Sequence, residues 1–594
     1  MKNTNKLSFL LLFLALLVTC WKIHAQGSSD VAPGGAGAAA VNPADYGGGN
    51  VSPPAGQPKA ASPLATGPTG ESILSNGDFA KATKNPQWPD EWPDANGEPV
   101  TRESEDGKYF LRFAAQSENQ LVQLTRAVPL PQGVKGLEFY ARFRTANVKF
   151  GKGFTNDARL VFRFDDANGQ KLPSPGDVIF DSHAKDWTDV SRKFLVPEGA
   201  VSLKIIPGLN RPKSGVLDLQ EIKLCVMPAT EADAMIAEAD AKVRAHELAV
   251  KRNEEMTGQI AGDLQLPPLT AELKVSGNKL VKAANGETVI LQGVNVCSLE
   301  WSAKGEQVLL SIKVAIEEWK ANAIRLPVYD GFWFGRGKGN VTANDAEAYR
   351  KIVDDAVKLA AAKGAYIILD LHLFHIPEQN AVEFWQDAAA RYKNNPAVLF
   401  DMFNEPTGIS WEQWRNGGDI SVKQKDKKLP PLIVKSPGMQ GILDAIRTTG
   451  AKNVVVAGGV GYAYDLGGLL EVGVLDDKGG NGVVYATHFY NWHGGWESHF
   501  LKVAEKYPVL VGEFGADVKK MSFIPANKQE DPYTWSPDAL AMIQQYQLSW
   551  TAFCLHPKST PRLINSWDYD PTPFWGQFVK DALAGKKFEL QKLR

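Results

Sequence analysis

Cysteine is scarce in this sequence: 594 residues hold four, Cys20, Cys225, Cys297 and Cys554. The three that follow Cys20 form an odd, sparse set, no disulfide framework, and read as small buried core residues. No cysteine–histidine cluster has the spacing of a metal site. His372 with His375 has no evident third ligand, so neither a metal nor another cofactor is expected. Net charge is lacking as well. A formal value of -2 gives no support to a nucleic-acid or anionic-membrane partner. Beyond the N-terminus no apolar run is long enough to span a bilayer. A glycine-rich phosphate loop is also missing, which argues against a doubly wound nucleotide-binding sheet.

What the chain does have is tryptophan, 16 in all, a flat amphipathic ring suited to sugars and other planar ligands. Its first 25 residues follow the order of a secretory signal peptide: Lys2 and Lys6, the apolar stretch Leu7 to Val18, then "KIHA" ending on Ala25. Extracellular or periplasmic secretion is the expectation. Acylation of Cys20 is disfavoured by Thr19, a poor residue before a lipoprotein cysteine. Residues 26–70 are Gly, Ala, Pro and Ser, too poor in large apolar groups to fold, and predict a tether. Residues 71–228 carry short alternating runs such as "YFLRF", "LEFYARF" and "LDLQEIKL", which predict an antiparallel β-sandwich. Its opening "ILSNGDFA" and closing "GVLDLQEIKL" resemble the end strands of jelly-roll modules found beside carbohydrate-active enzymes. That resemblance implies a carbohydrate-binding module with Trp88, Trp92 or Trp187 as ring platforms, or equally a structural sandwich with buried aromatics. Residues 229–268, dense in Ala and charge with Met235, Ala239 and Val243 on a narrow stripe, predict a solvated spacer helix.

From 269 to 594 strands and helices alternate. A hairpin in "LKVSGNKLVKAANGETVILQGVNV" leads into a first buried strand. Seven further apolar runs follow, near "NAIRLPV", "AYIILDLH", "AVLFDMFNEP", "NVVVAGG", "GVVYATHFY", "PVLVGEFG" and "SWTAFCLHP". Helical patterns sit between several of them; in one, Asn344 is placed to cap, with Glu347 reaching back and Gly364 as the stop. Eight β-then-α units over roughly 280 residues match a (β/α)8 barrel. In such a barrel the reacting groups belong at the C-terminal strand ends. Those ends read Arg325, His372, Asn404 with Glu405, His488 with Tyr490, and Glu513. Any one could cap a turn, but five strands repeating the pattern is hard to ascribe to turn chemistry. Two carboxylates on one rim, Glu405 and Glu513, are what glycosidic bond cleavage requires.

Taken together, "NAIRLPV", "ILDLHLFH", "FDMFNEP", "ATHFY" and "VLVGEFG" resemble the successive motifs of glycoside hydrolase family five, the cellulase-like family. The resemblance implies a retaining hydrolase in which Glu405 is the general acid/base and Glu513 the nucleophile. It implies that Arg325 and Tyr490 hold Glu513, that Asn404 bonds the sugar 2-OH, and that His372 and His488 serve sugar hydroxyls and the acid/base network. One position departs from the pattern: Phe553 stands where the family usually carries a tryptophan floor. Trp333, Trp492 and Trp496 follow rim strands and are candidates to line a sugar cleft, or to pack beneath their own loops.

The sequence thus predicts a secreted, monomeric endo-β-1,4-glucanase. Mannan is the alternative backbone, and a transglycosylase or a non-catalytic carbohydrate-binding protein are rival readings.

Overall fold

The computed structural model describes residues 70–594, apart from 154–155, 340–341, 425–428, 522–523 and 526. The expected signal peptide, Cys20 and the tether up to residue 69 lie outside the described residues. The chain divides into two compact units between Ala245 and His246.

In the first unit, alternation of apolar and polar residues yields two antiparallel sheets. One orders the strands Val100–Glu105, Lys108–Ala114, Ser214–Val226, Gly136–Lys149 and Thr188–Leu195. The other is built on Ala158–Asp166 and Ala200–Asn210. One apolar core takes side chains from both, with Phe139 meeting Phe162 edge-on at 5.1 Å. Trp92 belongs to that core and donates to the Asn76 carbonyl, so its ring offers no platform. Trp187 stays half-buried, with the Arg144 guanidinium 4.4 Å over its ring.

The Ala- and charge-rich segment forms one helix, α1 (Ala229–Asp263). Its C-terminal half is not solvated all round. Met256 enters the core of the second unit, Ile260 is buried, and Asp263 pairs with Lys313 at 2.6 Å. The narrow stripe hid this because much of the docking is polar, with Arg252 donating to the Asp568 carbonyl, Asn253 to the Trp567 carbonyl, and Asp263 paired with Lys313 and Lys363.

The second unit is a closed barrel of eight parallel strands. They are β1 (Gln292–Asn295), β2 (Ala323–Val328), β3 (Tyr366–Leu371), β4 (Val398–Asp401), β5 (Val455–Gly458), β6 (Val483–Tyr490), β7 (Val509–Gly515) and β8 (Ser549–Ala552). Pairing of Val294 with Ala552 closes the ring. Strand geometry sends alternate side chains to opposite faces. One set, including Ile324, Ile367, Phe400, Val455 and Val511, joins the large core with the surrounding helices. The other set points inward, where Ala323, Ile368, Leu399, Val456, Val484 and Leu510 pack with Leu273 and Leu280 of the preceding small sheet. The N-terminal end of the barrel is therefore plugged with hydrocarbon. Further along these strands the inward positions turn polar, as Arg325, Asp370 and Asp401 two residues on from Ala323, Ile368 and Leu399, and His488 four residues on from Val484.

The helix over Ala346–Ala362, α2, is capped by Asp345 rather than Asn344. The Asp345 carboxylate accepts from the Glu347 and Ala348 amides, while Asn344 donates to the Phe332 carbonyl. Both residues can cap, and the one immediately before the first turn has the shorter reach. The long connection after β4 carries a short helix, Trp411–Asn416, with a full capping box, and a hairpin of Gly418–Val422 with Leu432–Ser436. No helix among the described residues is long and apolar enough to cross a membrane.

Gly293 tests the closure. A Cβ there would lie 1.7 Å from the Ala323 carbonyl oxygen, against backbone that cannot turn aside as a side chain can. Gly293→Ala is expected to cost at least ~2 kcal/mol in urea unfolding; an unchanged midpoint would contradict this packing.

Candidate active site

The polar end of the barrel is organised by Arg325, whose side chain is fully buried. A guanidinium has five N–H donors, and here it makes four hydrogen bonds and a further ion pair. Nε donates to Asp401 Oδ2 at 2.9 Å, and Nη1 to Glu513 Oε1 at 2.7 Å and Asn295 Oδ1 at 3.1 Å. Nη2 donates to Asn404 Oδ1 at 2.8 Å and lies 3.0 Å from Asp370 Oδ2. Five strands or strand ends are thereby tied to one cation. Asn295 completes the tie by donating to carbonyls of Gly512, Thr551 and Ala552.

Glu513 needs a further device to reach this site. Strict alternation from Leu510, which faces inward, would turn Glu513 outward with Val511. The β6–β7 register instead steps from Thr487↔Val511 to His488↔Glu513, so Gly512 is an extra residue and Glu513 faces in. Re-aiming a side chain is what a β-bulge does. Gly512 also has to be glycine for space, since a Cβ there would sit 2.8 Å from His488 Nε2.

Glu513 then receives Tyr490 Oη–H at 2.5 Å on its second oxygen. Across from it, Glu405 Oε1 lies 3.0 Å from His488 Nδ1. One oxygen of each carboxylate and one His488 nitrogen all fall within 4.8 Å of one another. These are donor types that a cation accepts. Each is already engaged, however, and the Arg325 charge 2.7 Å from Glu513 would repel a metal ion. Glu405 keeps 13% side-chain exposure against 4% for Glu513, so the more reachable carboxyl is the one without the guanidinium.

The two carboxyls are driven apart in proton affinity. Burial, and then the negative charge of Glu513, push Glu405 well above the usual carboxylate range. Burial pushes Glu513 the same way, but the histidines His488 and His372, the Arg325 guanidinium and the Tyr490 hydrogen bond hold it below the usual carboxylate range. Burial itself takes His488 down to about 3, so this imidazole is neutral near pH 7 and the permanent charge holding Glu513 is that of Arg325. Burial also lifts Asp370 to about 8 and Asp401 to about 7 against the pull of the guanidinium. One cation cannot ionise three buried carboxyls, and Glu513 is the one it ionises.

The structure thus brings Arg325, Asn404, Glu405, His488, Tyr490 and Glu513 into one network. His372 joins it through Asp370, at 2.6 Å from its Nδ1. Trp492 stacks on Tyr490 with ring centres 4.9 Å apart, half-buried, and Phe553 is half-buried just past β8. Trp333 and Trp496 do not line the cleft. Both are 0% exposed; Trp333 donates to Asp387, and Trp496 packs on Phe489 and Trp535. A sequence shows that a ring follows a strand, not which side of the loop it takes. Asn295, Asp370 and Asp401 were missed, although an acid inside "YIILDLH" or "VLFDMF" was a signal, because a charge in a buried strand demands a partner.

Arg325→Met would leave Asp370, Asp401 and Glu513 without their cation. The expected cost is about 3–5 kcal/mol at pH 7, shrinking as pH falls and the carboxyls take up protons. A loss independent of pH in urea titrations would contradict this assignment of charge.

Residues 282–559 match the family model described as Cellulase (glycosyl hydrolase family 5). Endoglucanase A of Butyrivibrio fibrisolvens is 28% identical over 276 residues, covering 45% of this chain and 56% of that protein. Cellulase CelDZ1 of a Thermoanaerobacterium species is 24% identical over 315 residues, covering 49% and 73%. Endoglucanase E-5 of Thermobifida fusca is 25% identical over 258 residues, covering 41% and 48%. The chain thus spans about half the length of two of these three relatives. Among solved structures, β-glucanase SdGluc5_26A of Saccharophagus degradans, in complex with cellotetraose, is 22% identical with a TM-score of 0.42, covering 53% of this chain and 93% of that one. Residues 282–559 are accordingly similar to a cellulase domain of glycosyl hydrolase family 5.

Proposed function

We propose that this protein is a retaining glycoside hydrolase that cuts internal β-1,4 linkages of a β-glucan by double displacement. The observation that carries this reading is the carboxylate pair. Its oxygens come within 4.8 Å, and their proton affinities are split in opposite directions. Retaining glycosidases hold the two carboxyls about 5–5.5 Å apart, whereas inverting enzymes leave about 6.5–9.5 Å for a water.

In the first step Glu405 gives its proton to the glycosidic oxygen as the bond to the anomeric carbon breaks. Glu513 attacks that carbon and becomes its ester. In the second step the Glu405 carboxylate takes a proton from water, whose oxygen displaces Glu513 and restores both groups. Neutral His488 orients Glu405 without placing beside it a positive charge that would lower its pKa. Asn404 offers Nδ2, buried and without a hydrogen-bond partner among the described residues, as a donor to a sugar hydroxyl. Trp492 and Phe553 supply flat surface next to the pair. Relatives named endoglucanase and cellulase favour glucan over mannan as the backbone. The N-terminal 25 residues support export.

Two substitutions separate the roles. Glu405→Gln is expected to lower kcat/KM on soluble β-glucan about 10²–10⁴-fold, and far less on an aryl glycoside whose phenolate leaves unprotonated. Glu513→Gln should abolish turnover of both. In wild type the acid limb of kcat/KM should fall well below pH 4.5 and the alkaline limb should vanish in Glu405→Gln. Wild type inert on all β-glucans and β-mannans would overturn the proposal.

A further inference from the structure

Beyond the acids already described lies another buried one that the double displacement leaves without a role. Glu300 ends a short 3-10 turn, Ser298–Glu300, directly after β1, and is 3% exposed. Its Oε1 is buried and has no hydrogen-bond partner among the described residues. Lys338 Nζ stands 3.8 Å from that oxygen, and His372 Nε2 stands 3.4 Å from Oε2. Neither cation nor imidazole is free to close in. Lys338 is anchored on the Glu300 carbonyl oxygen at 2.9 Å and sits 4.6 Å over the Tyr329 ring. His372 is held from its other nitrogen by Asp370 at 2.6 Å.

A buried carboxyl oxygen left unbonded costs free energy and calls for a ligand or water to complete it. The chemistry on offer is an acceptor at Glu300, a cationic donor at Lys338, and an imidazole nitrogen that does either. That set suits adjacent hydroxyls, each of which donates one hydrogen bond and accepts others. The cluster is coupled to the reacting centre through His372, Asp370 and Arg325, which bonds Glu513.

We propose that Glu300, seconded by Lys338, is a specificity-determining residue that binds a hydroxyl of the sugar unit held beside Glu513. This rests on the glycoside hydrolase reading above. A pyranose lacking that hydroxyl, or presenting it axially, leaves the buried carboxyl unpaired, and polar sites reject such analogues strongly.

The test uses the full chain and a set of chromogenic β-1,4-gluco-oligosaccharides, each deoxygenated at one hydroxyl of the unit to be attacked. Wild type is expected to lose about 10- to 100-fold in kcat/KM on one deoxy substrate. Glu300→Gln should lose a similar factor on the parent substrate and then show no further loss on that deoxy analogue. Lys338→Met, at a side chain 18% exposed, should show the same non-additivity with a smaller factor, and it serves if Glu300→Gln fails to fold. Folded variants that keep the wild-type penalty for every deoxygenation would overturn the inference and leave the hydrolase reading standing. Wild type that cleaves none of the oligosaccharides, the parent included, would overturn both.

Discussion

Everything at the polar end of this barrel depends on a single fully buried guanidinium. Arg325 brings one positive charge to a place where Asp370, Asp401 and Glu513 each present a carboxyl within 3.0 Å of it. Desolvation makes each further negative charge expensive there. The cation therefore selects which acid is ionised. Glu513, which has the closest contact and a second donor in Tyr490, keeps its charge; Asp370, Asp401 and Glu405 are driven towards their protonated forms. The functional asymmetry between Glu405 and Glu513 follows from this, and so does the orientation of Asn404, whose oxygen must face a group that can only donate.

The backbone supplies the second constraint. Because inward positions recur every two residues, the same strands that plug one end of the barrel with Ala323, Ile368 and Leu399 present Arg325, Asp370 and Asp401 one step later. Hydrocarbon below and charge above is thus one pattern read along each strand. Glu513 violates the pattern and is brought back by the extra residue at Gly512, which also makes room for the His488 ring.

Much of this was legible beforehand. Eight apolar runs, five of them ending in polar residues, pointed to eight barrel strands, and Arg325, Asn404, Glu405, His488, Tyr490 and Glu513 were readable as rim positions. Where reading stopped, the reasons are physical. Asp370, one residue before the end of β3, and Asp401, the last residue of β4, take their importance from sharing Arg325 across strands, a contact between residues far apart in sequence. Glu300 looked like any acid in a loop until burial and the lack of a partner singled it out. Trp333 and Trp496 were equally ambiguous, and packing sent both into the core. The docking of the second half of α1 depended on Met256 meeting a core that the helix sequence does not contain.

The central claim is that an ionised Glu513 and a protonated Glu405 sit close enough for direct attack on the anomeric carbon. Proton NMR of the first product formed from a β-1,4-gluco-oligosaccharide tests it most directly. The account predicts that the new reducing end appears first as the β-anomer and only later equilibrates by mutarotation. Initial release of the α-anomer would mean that water, not Glu513, attacks first, and would contradict it.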